Sequence, residues 1–299
     1  MLTAALFAGL VAAPPAFAAA ASAPTPTPLA PREAVDIELV IATDVSPSID
    51  AEEAHLQREG TIEAFLNPQV VSAIQSGALG KIGVAYIDFS AREFNKVVIN
   101  WRIIKDKASA AAFADALRKA PPTYGRHTSI SSAIELGQLL IETNNLDGTK
   151  RVIDISGDGP NNWGTDISVA REAAVKRGIV INGLPIVDDH PGFGNIADLD
   201  KYYINCVIGG PAAFIVVAKG FQDFSRAIRN KLVAEISSDT PPAKNPLLIK
   251  VAAAAAPLPP MPVRPIPAQP PRTPPSQTSC GNQFGGFGPF NGFDFPPRR

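Results

Sequence analysis

The strongest constraint on the fold is a regular alternation of two kinds of segment between Val35 and Ile236. Runs dense in Val and Ile at 35–43, 81–89, 94–103, 151–156, 179–186 and 214–218 read as strands, because β-branched side chains pack well on a pleated surface. Segments with helical signals lie at 50–66, 106–119, 130–143, 166–177, 199–207 and 221–236, several entered through Asp and one stopped at Asn67-Pro68. The order is therefore β-α-β-β-α-α-β-α-β-α-β-α. Strands that return through helices run parallel, with right-handed crossovers and helices on both faces. Only 81–89 and 94–103 lie too close for that, since the short connection Ser90 to Glu93 fits a hairpin. The expectation is an α/β, doubly wound, mostly parallel six-stranded sheet with one antiparallel edge strand, of Rossmann type.

Outside this span the composition changes. Residues 1–18 form an apolar run closing on Ala16-Phe17-Ala18, the small-x-small pattern that ends a secretory signal peptide, although no Lys or Arg precedes Arg32. Pro14 and Pro15 interrupt a run already short for a spanning helix, so no stable membrane span is expected. A periplasmic or secreted location follows, with 19–34 as linker and 35–238 as the domain. From 239 to 299 dense Pro, then Gly and Phe, cannot build a core, and a disordered tail is expected. A formal net charge of -1 gives no basic face for nucleic acid. Cys206 and Cys280 either pair, as an oxidising compartment would permit, or leave Cys206 as a buried apolar side chain and Cys280 free. Their spacing leaves both readings open.

In an open doubly wound sheet, ligands gather outside the carboxyl ends of the strands. Three loops rich in oxygen donors fall there: Asp44-Val-Ser46-Pro-Ser48 after the first strand, Thr128 ahead of the 130–143 helix, and Asp158-Gly159 after the 151–156 strand. A small hard cation such as Mg²⁺ takes oxygen ligands at about 2.0–2.1 Å and keeps several waters. Ser46, Ser48 and Thr128 are candidates for direct ligation, with Asp44 and Asp158 supplying negative charge and an open position left for an acidic group of a protein partner. Mn²⁺ or Ca²⁺ would suit the same donors. Each loop taken singly reads better as a helix cap, with Asp44 or Ser48 capping the helix near Asp50, and Thr128 or Ser129 capping the next. Their convergence on one sheet edge favours the cation.

These residues resemble, in chain order and loop context, the metal-ion-dependent adhesion site of von Willebrand factor A and integrin inserted domains. The stretches DVSPSIDAEEAHLQREG, RVIDISGDGPNNWG, INGLPI and YINCVIGGPAAF look like a bacterial family of A-like domains of unknown function, over about residues 35–238. The resemblance implies a metal-mediated ligand-binding fold and no established reaction. One departure stands out: A domains carry Thr directly before the third-loop Asp, where this chain has Gly157. Asp154, inside its strand, is expected to be structural and hydrogen-bonded near a neighbouring loop.

Other classes find little support. His55, His127 and His190 are scattered and form no H-E-x-x-H motif, and no G-x-S-x-G elbow exists. His127 adjoins the proposed site but lacks companions for catalysis. Gly192-Phe-Gly194-Asn-Ile-Ala197 matches a dinucleotide fingerprint only formally, away from the first strand-helix turn, and Gly77 to Lys81 has the wrong spacing for a P-loop. The expected function is an exported, cation-dependent protein-binding domain, not an enzyme. The rival is a metal-independent scaffold acting through its Pro-rich tail.

Overall fold

The computed structural model describes residues 31–187, 198–237, 248–250 and 280. The expected signal peptide, most of the expected linker and most of the expected tail lie outside them, as do His190 and the 192–197 stretch.

The expected alternation is present. In chain order the elements are β1 (Glu33–Asp44), α1 (Ala51–Leu66), α2 (Pro68–Gln75), β2 (Ile82–Phe89), β3 (Lys96–Ile104), α3 (Lys107–Lys119), α4 (Ile130–Thr143), β4 (Leu146–Gly157), α5 (Ile167–Lys176), β5 (Val180–Val187), α6 (Leu199–Tyr202), β6 (Phe214–Val216), β7 (Ala218–Lys219), α7 (Phe224–Ile236) and β8 (Leu248–Lys250). The sheet runs β3-β2-β1-β4-β5-β6-β8, with β7 paired to β5. β1 pairs in parallel with both β2 and β4, so its carboxyl end lies centrally in the sheet, where strand order reverses. β3 is the antiparallel edge.

Successive β1 side chains serve opposite faces. Ile37, Leu39 and Ile41 join a cluster with α1, α2, α3 and α7, whereas Val40 and Ala42 join one with α4, α5 and α6. Every residue of β2 is buried, as expected of a strand covered on both sides.

Two expectations are corrected, and the open question of the cysteines is decided. Asn67-Pro68 ends α1 and also starts α2, because Asn67 accepts a hydrogen bond from the Gln69 amide and Pro68 sits in the first turn, where a missing N–H costs nothing. The six-stranded count rises to eight. A short β7 follows β6, and β8, inside the segment expected to be wholly disordered, pairs antiparallel with β6 through Phe214↔Lys250 to Val216↔Leu248. The two cysteines are joined: Cys206 and Cys280 form a disulfide across a sequence separation of 74. Cys206 is fully buried in the second cluster, and Cys280 packs against that cluster. In a chain-entropy account, closing so long a loop contributes about 4 kcal/mol. No helix among the described residues is long and apolar enough to cross a membrane.

Candidate metal centre

The first loop begins where β1 stops. The Ser46 amide donates to Asp44 Oδ1 at 2.8 Å, bending the chain so that the two side chains face one another, and Gln57 Nε2 of α1 donates to the Asp44 carbonyl at 3.2 Å. Ser46 Oγ lies 3.2 Å from Ser48 Oγ, and Ser48 Oγ donates to Asp158 Oδ1 at 2.9 Å. Four of the five candidate residues are thus linked in one chain of polar contacts across two loops, through the Ser46 amide and the two serine hydroxyls.

The capping alternative is excluded by the geometry of the helix starts. Asp50 caps α1 by accepting from the Glu52 and Glu53 amides at 2.8 and 2.9 Å, while the Glu53 carboxylate returns a bond to the Asp50 amide. Asp44 and Ser48 have no part in it. Ser129, not Thr128, caps α4, accepting from the Ser132 amide at 3.3 Å. Thr128 is buried beside the third loop: its amide donates to Asn162 Oδ1 at 2.8 Å, and its carbonyl accepts from the Asn162 and Trp163 amides. Its hydroxyl makes no hydrogen bond to the other four candidates, so its place in the site rests on its main chain.

Gly157, a departure from the A-domain pattern, has a steric reason. A Cβ built there would lie 2.9 Å from Asp44 Oδ2, 3.0 Å from Asp44 Cβ and 3.2 Å from the Tyr203 hydroxyl. Glycine lets the end of β4 come against Asp44 and carry Asp158 into the first loop. Sequence reasoning missed Gln57 and gave Asn161 and Asn162 only the role of a turn. Asn161 Oδ1 accepts from the Ser131 amide, its own amide donates to the Tyr202 hydroxyl, and with Asn162 it fastens the third loop to the second.

The electrostatics are those of an unneutralised acidic pair. Asp44 is fully buried, and its Oδ2 has no hydrogen-bond partner. Burial, and then the charge of Asp158, push its carboxyl well above the usual range, against hydrogen bonds from Ser46. Burial pushes Asp158 up as well, with the Ser48 hydroxyl opposing. Tyr203 is pushed up by burial and by both carboxylates. No Lys, Arg or His among the described residues forms an ion pair with either aspartate. Nor do the described residues contain a cluster of three or more His, Cys, Asp or Glu arranged for a metal, so a cation here would rely on hydroxyl, carbonyl and water oxygens beside two carboxylates.

Two neighbours of the site are engaged elsewhere. Asp154 is structural, but its partner is the buried Lys231 of α7 and not a loop. His127, exposed and at a positive φ of 58°, stacks on Trp163 with ring centroids 4.3 Å apart and planes 8° apart.

A family model described as a protein of unknown function, DUF1194, matches residues 34–240, and the chain belongs to that family. A search of curated proteins finds no match. Among solved structures, the PilB minor pilin from Streptococcus sanguinis is similar at 12% identity and a TM-score of 0.51, covering 71% of this chain and 63% of that one. The pilus adhesin SpaC from Lactobacillus rhamnosus GG is similar at 13% identity and 0.50, covering 69% and 31%. A von Willebrand factor type A protein from Catenulispora acidiphila is similar at 12% identity and 0.48, covering 69% and 43%. The chain spans less than two thirds of the length of each of these structures. Its fold is that of a von Willebrand factor A-like domain, with a mostly parallel sheet between two helical layers; β3 is reversed beside β2, and the short β8 is reversed beside β6.

Proposed function

We propose that this chain is an exported, divalent-cation-dependent protein-binding domain, with Asp44, Ser46, Ser48, Thr128 and Asp158 holding the cation. The observation that carries the reading is Asp44 Oδ2, a buried carboxylate oxygen without a partner, beside a second carboxylate and with no cation from the chain. An unpaired buried charge is costly unless something compensates it, and a hard cation fits this donor set. Mg²⁺ is the proposed occupant, with Mn²⁺ and Ca²⁺ as the competitors to test. Ser46 and Ser48 supply hydroxyl ligands, and Asp44 and Asp158 act directly or through water. When bound, the cation supplies an electrophilic position for an acidic group of the partner. The pilus adhesin and minor pilin among the structural neighbours agree with a binding role. The Cys206–Cys280 disulfide supports an oxidising compartment, and with it export. No reaction is assigned; His127, the histidine next to the site, stacks on Trp163.

The test is retention of the full chain on immobilised acidic peptides. Retention with Mg²⁺ that disappears with chelator and in Ser46→Ala is the expected result. Retention unchanged by chelator would overturn cation dependence.

A further inference from the structure

On the α1 side of β1, next to the metal loops but separate from them, the same sheet edge holds a cavity of about 550 Å³. That is within the range of small-molecule sites, which run to about 300–1,000 Å³. Thr43 and Val45 line it, and Asp44 between them does not, as the alternation along a strand requires. Small side chains make the space: Ala54 on α1 faces Ala120 and Pro122 after α3.

Its polar lining is left incomplete by the protein. Thr43 Oγ1, Asp88 Oδ1 and Thr123 Oγ1 are all buried and make no well-formed hydrogen bond, the Thr43 hydroxyl lying near that of Tyr86 and the Thr123 hydroxyl near Asp88. Buried polar atoms so incompletely satisfied are rare, and three around one cavity point to something that completes them. The charges here are already matched. Arg58 holds Asp88 Oδ2 at 2.7 Å and gives its other amine to the Ala120 and Pro121 carbonyls at 3.0 and 3.1 Å. Arg118 lies against Glu59 at 3.5 Å. What remains is one carboxylate oxygen that accepts, the hydroxyls of Thr43, Thr123 and Tyr86, which both donate and accept, and the His55 imidazole, a set suited to a neutral polar occupant. Burial beside Asp88 keeps the Tyr86 hydroxyl protonated. At the mouth, Tyr124 lines the cavity while 62% exposed, leaving its ring free to cover an occupant.

We propose that this cavity is a binding site for a neutral, polyhydroxylated ring of monosaccharide size, with its hydroxyls on Asp88, Thr43 and Thr123 and a C–H face against Tyr124. Vicinal hydroxyls supply donors to a carboxylate and acceptors to protein hydroxyls in one rigid frame, and the apolar face of such a ring suits an aromatic wall. The proposal stands independently of the metal reading.

The experiment is saturation-transfer difference NMR on the full chain in chelator, with D-glucose, D-galactose and D-mannose as separate probes and gluconate as an anionic control. Saturation of ring C–H protons is expected for at least one hexose, with affinity weakened at least about tenfold in Tyr124→Ala and in Ala54→Leu, which fills the space. Tyr124→Ala removes an exposed ring, so its thermal midpoint should match the parent and a folding failure is separable from a binding failure. No transfer from any hexose, transfer undiminished in both variants, or transfer from gluconate alone would each overturn the proposal; water would then be what completes the three atoms.

Discussion

Two pairs of buried carboxylates flank the middle of this sheet, and they differ in what neutralises them. Beneath it, Asp154 of β4 and Glu235 of α7 share Lys231, which is fully buried, ion-paired with Asp154 and 3.4 Å from Glu235. Asn182 completes this group, donating to Glu235 at 2.6 Å and accepting from the Phe214 amide at 2.8 Å. At the carboxyl edge, Asp44 and Asp158 are buried with hydroxyls and main-chain amides alone. The first pair carries its own counter-charge and ties a helix to the sheet. On the proposed reading the second leaves that role to a cation from solution, which would distinguish a binding site from a structural ion pair of similar composition.

The comparison breaks most visibly at Lys231. Lys231→Met should destabilise by about 3–5 kcal/mol in urea unfolding, because two acids would remain buried without a cation. A loss below about 1 kcal/mol would mean that the lower pair does not depend on its lysine.

Glu235 sharpens the same contrast through pH. Burial, then the charge of Asp154, push it from 4.5 to about 7, against Lys231 and Asn182. A folded-state acid pKa above the unfolded one means the folded chain holds the proton more tightly, so this group's contribution falls as pH rises from about 4.5 to about 7 and is flat above. Glu235→Gln should remove on the order of 2–3 kcal/mol of that decline, read as the difference between parent and variant unfolding curves. Parallel pH profiles would contradict the assignment.

The edge pair should respond in the opposite sense. In chelator, Asp158→Asn removes one of two like charges and keeps an amide oxygen to accept from Ser48, so stability should rise by on the order of 1 kcal/mol. A loss of that size would make Asp158 structural, as Asp154 is.

Much of the fold was legible because β-branched runs and helix caps are local signals, and the short Ser90 to Glu93 connection could only reverse the chain. What escaped depends on distant partners. The polar start of β4 reads as loop until Glu33↔Leu146 pairing places it beside β1. Leu248–Lys250 becomes a strand only because β6 offers an edge. At the site, the donor residues stood out by chain order, but helix capping competed for every one of them until Asp50 and Ser129 were seen to fill those roles. Gln57 and Asn161 left no pattern, since their bonds go to main-chain atoms and a tyrosine hydroxyl elsewhere in the chain. Gly157 read only as a departure from the A-domain pattern and is a close-approach glycine.

The central claim is that the edge pair awaits a cation, and thermal unfolding of the full chain against Mg²⁺ tests it most directly. At ten times its dissociation constant Mg²⁺ should stabilise the parent by about 1.4 kcal/mol. That shift should vanish with chelator and in both Asp44→Ala and Ser46→Ala. No Mg²⁺-dependent shift in the parent, or the same shift in both variants, would contradict the account.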